Sequence, residues 1–418
     1  MMQLHPFCAL CPPADHAHRV ASPPYDVVDT DEARQFAEGN PASFIHVIRP
    51  EVCLSADIDV HADEVYAEAA NQLNRLVSEG YLVQDERPAL WAYRQIMDGR
   101  AQVGIVGCSN VSDYEAGNIK KHEFTRPDKE DDRTRHVDTA DANAGPVFLA
   151  CRSTASLMSL IEDWTNQAPT VDFTGWNGVQ HTLWRINEPL ELNRAESVYD
   201  EIGAFYVADG HHRAASAWRV RNMRRERHGD DPRAHWNRFL TVVFPDEQLK
   251  ILAYNRVVAD LNGLSRDELL AALSQNFEIS ELGAQPTPST RHTFAMYLPD
   301  GWRQLTAKSH IVDENDSVAC LDVAVLQDHL LNPLLGIDDP RTNDRIRFVG
   351  GIRGTEELER LIALGGNQGV AFSMYPTSMA ELFAVADQDR VMPPKSTWFE
   401  PKLASGVLVH RLNDSAHS

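Results

Sequence analysis

The sequence predicts a mixed α+β fold with one large domain and a smaller C-terminal part. Three observations carry this expectation. Residues 61–79 set Val65, Ala69, Leu73 and Leu76 at helical spacing. Strand-like runs at 89–97 and 101–107 flank Asp98-Gly99, a hairpin signal. An apolar run at 205–208 stops at Asp209-Gly210 and passes straight into a helix-forming stretch at 214–219.

Taken in order, 1–50 reads as a strand or loop, a turn at Pro23-Pro24-Tyr25-Asp26, a short helix near 30–38 and a strand at 44–48. The helix at 61–79 ends at Gly80. Residues 115–145 are highly charged with little periodicity, and are expected as a long functional loop or broken helices. Helices and strands alternate through 155–208, and the basic-acidic tract 219–231 reads as a solvated helix face. Residues 239–244 and 251–258 are expected to pair as strands. A helix follows at 264–277, a linker at 284–289, and strands on either side of Pro299-Asp300-Gly301. Helices at about 320–335 and 355–364 and strands near 369–374 and 406–411 complete the chain. No internal repeat is visible.

At 418 residues and 43% hydrophobic content the chain can bury a sizeable core, and two parts are expected: 1–260, with an insertion at 110–200, and 261–418. The formal net charge of −22 is spread along the chain, which argues against a nucleic-acid binder, since a phosphate backbone needs a basic face. A local basic pocket for a small anionic ligand is compatible with it. No apolar run reaches membrane-span length and no basic-then-apolar leader pattern is present, so no membrane partner and a cytoplasmic location are expected. Six cysteines, at 8, 11, 53, 108, 151 and 320, lack disulfide-scaffold spacing. Cys8-x-x-Cys11 has His5, His16 and His18 nearby but no second pair, and free thiols are expected.

Three stretches concentrate chemistry. In Asp209-Gly210-His211-His212-Arg213, a strand meets a glycine turn and a helix start, the geometry that aims backbone N–H groups and a helix dipole at an anion. The competing explanation is a surface turn in which Asp209 caps the helix; it leaves the run of His, His and Arg unexplained. The second stretch, from Lys121, His122 and Glu123 to Glu130, Asp132 and Arg133, supplies the cations, carboxylates and base that phosphoryl transfer uses. An exposed helix with opposite charges three and four apart fits it as well. The third is Lys395-Ser396-Thr397 within a proline-rigid run at 393–402, suited to gripping an anion or to a plain surface loop. No Walker A, GxGxxG or GxSxG pattern occurs.

Together, Pro23-Pro24-Tyr25-Asp26-Val27, Lys121-His122-Glu123 with Thr125, Glu130-x-Asp132-Arg133, Gly145-Pro146-Val147-Phe148, the 208–213 box and the 393–402 run resemble domain-of-unknown-function family 1015. The Asp-Gly-His-His-Arg box also resembles the Gly-x-His-Arg box of the ParB/sulfiredoxin-like superfamily, which includes partition proteins, sulfiredoxins and free-serine kinases. That resemblance implies a ParB/sulfiredoxin-like catalytic core over 1–260, completed through 393–402. It implies phosphate ligands at Gly210, His211, His212 and Arg213, with Asp209 as a base or metal contact. The chain lacks the basic module of the partition proteins, and His211 stands where sulfiredoxins carry cysteine. What remains is a nucleotide-dependent phosphotransferase acting on a small hydroxylated metabolite, best matched by free L-serine, with ATP or ADP as donor. Under it, Arg133 and Lys121 clamp the phosphoryl group, and Glu123 or Asp209 accepts the hydroxyl proton. Glu130 and Asp132 hold Mg²⁺, while Lys395, Ser396 and Thr397 close over the ligand. A phosphatase of a phosphorylated amino acid and a non-catalytic nucleotide-binding switch are the alternatives.

Overall fold

The computed structural model describes residues 2–282 and 286–413. The chain forms two units, one from residues up to 120, 125–249 and 401 onward, the other from 121–124 and 250–400.

The first unit is organised by a mixed sheet. Its strands in chain order are β1 (Leu90–Met97), β2 (Arg100–Asn110), β3 (Ile119–Lys120), β4 (Val147–Cys151), β5 (Val171–Thr174), β6 (Gln180–Ile186), β7 (Phe205–Asp209) and β8 (Arg238–Pro245). The spatial order is β3-β7-β4-β8-β2-β1-β6-β5, and Leu4–His5 adds to β2. Pairing is parallel at β3/β7 and β4/β8 and antiparallel elsewhere. The β1–β2 hairpin turns at Asp98 and Gly99, both at positive φ, as a two-residue loop matching strand twist requires. Three helices matter below: α1 (Asp63–Ser78), α2 (Pro127–Ala140) and α3 (His211–His228). Helix α3 lays Ala214, Ala215 and Ala217 into the core beside Phe205, Val207 and Leu149. The small side chains let the helix lie close to the sheet.

The second unit is built on an antiparallel sheet of β9 (Tyr254–Val258), β10 (Phe277–Glu281), β11 (Thr293–Leu298), β12 (Gly301–Ala307), β13 (Ile346–Gly350) and β14 (Val370–Met374), in the order β10-β12-β11-β14-β9-β13. Helix α4 (Glu356–Leu364) buries Leu358 and Ile362 against Val257 and Ala371. The architecture is thus α+β throughout.

Several local expectations are corrected. Residues 44–48 form not a strand but the short helix Ile45–Ile48, buried with Leu73 and Leu76 of α1; so short an apolar run carries no usable period. The charged stretch 115–145 contains the regular helix α2. The 239–244 and 251–258 strands do not pair: β8 lies between β4 and β2, whereas β9 is an inner strand of the other sheet. For that reason the break between units falls after Leu249 rather than after 260. The 110–200 stretch, expected as an insertion, supplies β3 to β6 of the main sheet. Residues 401 onward return to the first unit, where Ser405 bridges Ser22, Val409 bridges Leu10 and His410 pairs with Asn143. The expected helix at 320–335 is Asp322–Leu326 followed by a wider turn at Gln327–Leu331, and of 406–411 only His410–Arg411 is strand. Part of the 284–289 linker lies outside the described residues. Among the described residues none of the six cysteines is joined in a disulfide.

One buried carboxylate makes the second unit's stability depend on pH. Asp322, 8% exposed, accepts from the His292 backbone N–H at 2.8 Å and has His292 Nδ1 2.9 Å away, while its Oδ2 finds no partner among the described residues. Burial pushes its pKa up to about 6, against the pull of His292. A carboxyl whose folded pKa lies above its unfolded value costs stability as pH rises between the two, here from about 4 to 6. The ionised form is the penalised one, so the cost is present in full at neutral pH. Asp322→Asn is therefore expected to stabilise this unit above pH 6 and to lose that advantage below pH 4, as read from urea unfolding at pH 8 and pH 4.

Candidate functional site

Strand β7 does not run cleanly into α3. Its register with β4 shifts between Val207 and Asp209, a bulge that turns the strand end outward, and Gly210 then takes φ +93°. A side chain at Gly210 would be strained by that φ and would also collide with the Arg213 guanidinium, whose Nε lies 2.8 Å from the Cβ position. Arg213 thus folds back over the start of its own helix.

This helix start runs against ordinary helix chemistry. Gly210, not Asp209, is the N-cap; no side chain caps the helix, and the first turn holds no acid but His211, His212 and Arg213. A cation such as Arg213 at a helix N-terminus costs about 0.3–1 kcal/mol against the dipole. Asp209, the expected cap, instead meets Arg213 Nη2 at 3.1 Å and Lys402 Nζ at 3.7 Å through one oxygen, Oδ2. Arg213 Nη1 donates to the Pro146 carbonyl at the entrance to β4, and its Nε is buried without a partner among the described residues. Burial works against the Arg213 charge, yet the Asp209 and Asp26 carboxylates hold its pKa above the usual arginine value.

A second cation faces the same place. On α2, Arg133 binds Asp132 Oδ2 through Nε at 2.9 Å and Nη2 at 2.7 Å, and its guanidinium lies 4.0 Å from the centre of the Tyr25 ring. Asp132 Oδ1 accepts from Tyr66 at 2.8 Å and faces His61 Nδ1 at 3.3 Å. Burial opposes the Asp132 charge, but Arg133 and Tyr66 bring its pKa below the usual carboxylate value. Burial, aided by Asp26, raises the Tyr25 hydroxyl above its ordinary range. Tyr25, Arg133, His136, Gly145, Arg213 and Ser405 line a cavity of about 40 Å³. That is room for a few water-sized groups, the scale of a phosphate rather than of a nucleoside. His136 is held neutral there, burial and Arg133 lowering its pKa to about 4.

The first unit therefore gathers Gly210, Arg213, Asp209, Arg133 and Asp132 around or beside Tyr25, with His211 and His212 in the same first turn of α3. Glu130 is not brought to Asp132. Two residues apart on a helix, the side chains point about 160° from each other. Glu130 binds Thr125 through Oε1 and faces Arg219 at 3.6 Å through Oε2, while both Asp132 oxygens are taken by Tyr66, His61 and Arg133. The pair does not fit one Mg²⁺ ion.

Lys121, Glu123, Lys395, Ser396 and Thr397 lie in the second unit, where the two motif segments meet: His122 Nε2 is 3.2 Å from Thr397 Oγ1, and Met392 N–H donates to the His122 carbonyl at 2.8 Å. The Ser396 hydroxyl donates to the Pro393 carbonyl at 2.6 Å. Lys395 adopts φ +58°, and its carbonyl accepts from buried Arg256 at 3.1 Å. Sequence reasoning assigned no role to Tyr25 or Lys402, although each stands inside a quoted motif string. The signal was there in the aromatic between Pro24 and Asp26 and the lysine after Pro401.

No curated protein matches the chain. Among solved structures, a C-terminally truncated SbnI from Staphylococcus aureus is 12% identical with a TM-score of 0.37, over 72% of this chain and 85% of that one. A free serine kinase in complex with AMP is 12% identical with a TM-score of 0.33, over 71% and 86%. A conserved hypothetical protein from Pyrococcus furiosus is 13% identical with a TM-score of 0.33, over 71% and 90%. Among the described residues no helix is long and apolar enough to cross a membrane. The sequence model that matches spans residues 4–324, more than half of the chain, and by it this protein belongs to the family described as "Protein of unknown function (DUF1015)".

Proposed function

We propose that the protein is a nucleotide-dependent phosphotransferase acting on a small hydroxylated metabolite, with free L-serine the best candidate and ATP or ADP the donor. The observation that carries this reading is the uncapped start of α3, with Arg213 folded across it and Arg133 facing the same cavity. An anion seated there would accept backbone N–H groups at the helix start and would offset the Arg213 charge that otherwise opposes the helix dipole. Phosphoryl transfer asks little covalent chemistry of a protein and much charge neutralisation. In this reading Gly210 lets the phosphate approach the backbone, and His211, His212 and Arg213 bind its oxygens. Arg133, braced by Asp132 and stacked on Tyr25, stabilises the transferring group. Asp209 orients Arg213 and, with Glu123 as the alternative, accepts the hydroxyl proton. Lys121, Lys395, Ser396 and Thr397 are proposed as further ligand contacts. Mg²⁺ is not routed through Glu130 and Asp132, whose oxygens are committed to other partners.

The test is phosphorus NMR of the pure protein with Mg²⁺, L-serine and either ATP or ADP. A phosphomonoester signal that depends on both serine and nucleotide is expected, and its absence with both donors would overturn the reading. Glu123→Gln separates enzyme from switch: turnover is expected to fall by about a hundredfold or more with nucleotide affinity unchanged. A nucleotide-binding switch would show no turnover for either protein.

A further inference from the structure

The return of the chain to the first unit at 401–405 is held by an unusual amount of buried polar structure. Gln95 on β1 is fully buried and donates through Nε2 to the Lys402 carbonyl at 2.9 Å. Its own Oε1 accepts from Gln102 of β2, 1% exposed, at 3.0 Å. Two residues earlier on the same face of β1, the Tyr93 hydroxyl accepts from the backbone of Ala404 and lies 2.6 Å from His181 Nδ1. Ser405 and Ser22 then exchange backbone hydrogen bonds at 2.9 and 3.1 Å. Buried amides and phenols are expensive unless bonded, and Gln95 and Tyr93 bond to the backbone of one short strap, with Gln102 behind Gln95. They fix its register. In extended chain a slip of one residue reverses every side chain, so this register decides which strap residue faces Asp209. That residue is Lys402, with its side chain 12% exposed and its Nζ 3.7 Å from Asp209 Oδ2.

We propose that Lys402 is a further anion-binding residue of the Asp209–Arg213 site, and that Gln95, Gln102 and Tyr93 are positioning residues acting through the strap; this rests on the nucleotide reading above. Arg213 is committed to Asp209 and Pro146 and offers a planar fork, whereas the lysine brings a compact charge on a flexible stem, suited to the outer phosphates of a polyphosphate chain. Asp209 links the two cations through one oxygen, so a ligand that draws on one is coupled to the other. The contribution of Lys402 therefore grows with the number of phosphates bound.

Calorimetric titration of the full chain with AMP and with ATP tests this. Lys402→Met, which keeps the buried stem, is expected to weaken ATP binding about tenfold or more and AMP binding by less than about threefold. Lys402→Arg is expected to restore most of the ATP affinity. Gln95→Leu leaves every charge in place but frees the strap, and is expected to reproduce part of the loss for ATP and little of it for AMP. An equal effect of Lys402→Met on both nucleotides, or none, overturns the proposal. If Arg213→Ala loses ATP binding while Lys402→Met retains it, only the lysine assignment falls. If the unaltered protein binds neither nucleotide, the nucleotide reading falls and the lysine assignment with it.

Discussion

Replacing Arg213 with alanine is expected to weaken ATP or ADP binding by about 3 kcal/mol, roughly a hundredfold, and to leave the fold intact. The size follows from what the guanidinium does. It is the cation laid across the N-terminus of α3, held by Asp209 on one nitrogen and Pro146 on another, with Nε buried and without a partner among the described residues. Charge-assisted hydrogen bonds to a ligand in such a place are worth about 1.5–3 kcal/mol each. The fold survives because Asp209, about a quarter exposed, keeps Lys402 nearby and reaches solvent, so no buried charge is stranded. Arg213→Lys is expected to recover only part of the affinity, since an ammonium cannot span Asp209, Pro146 and a phosphate at once. The measurement is calorimetric titration alongside thermal unfolding. Unchanged affinity with an unchanged melting temperature would remove the phosphate cradle from 210–213.

How much of this was legible beforehand depended on range. The strand, turn and helix at 205–219 are adjacent in sequence, so the box at 209–213 could be read directly, and its glycine and three nitrogen-bearing side chains sit where expected at the start of α3. The role of Asp209 could not be read, because choosing between a cap and an ion pair depends on Lys402, which is distant in sequence. Tyr25 and Arg133 meet across more than a hundred residues, with no periodic signal to join them. Glu130 and Asp132, the candidates for Mg²⁺, diverge for a local reason that the helix itself supplies: once 127–140 is regular, residues two apart point to different sides. The pairing of 239–244 with 251–258 failed because neighbouring strands in sequence here belong to different sheets.

Replacing Arg224 with alanine is expected to destabilise the first unit by about 3–5 kcal/mol, the largest stability effect of any single charge change considered. Arg224 is 5% exposed near the end of α3 and ties that helix to the end of α2. Its Nε binds Asp138 Oδ1 at 3.0 Å, Nη2 the Asp138 carbonyl at 3.0 Å and Nη1 Asp141 Oδ1 at 2.6 Å; Trp236 lies beneath, its ring centre 5.8 Å away. Removing the cation takes from half-buried Asp141, whose pKa burial already raises, the closest charge that offsets that burial, and leaves Asp138 to Arg227. Asp141 also sits at φ +53° where α2 ends, so the lost contact releases a backbone turn that the arginine holds. Arg225→Ala is the control. One residue along, Arg225 pairs on the surface with Asp230 at 3.1 Å, and its loss is expected to cost under about 1 kcal/mol. The Asp138 contribution to the network's pH dependence has a definite sign. Burial opposes the Asp138 charge, but Arg227 and Arg224 bring its pKa below the usual value, so its contribution is full above about pH 4 and fades as pH falls further. Urea unfolding at pH 7 and at pH 3 measures both. Helix α2 also carries Asp132 and Arg133, so loosening its far end is expected to weaken phosphate binding at a site Arg224 never touches; unaltered binding in a destabilised Arg224→Ala protein would show that Arg133 is held by Asp132 and Tyr25 alone.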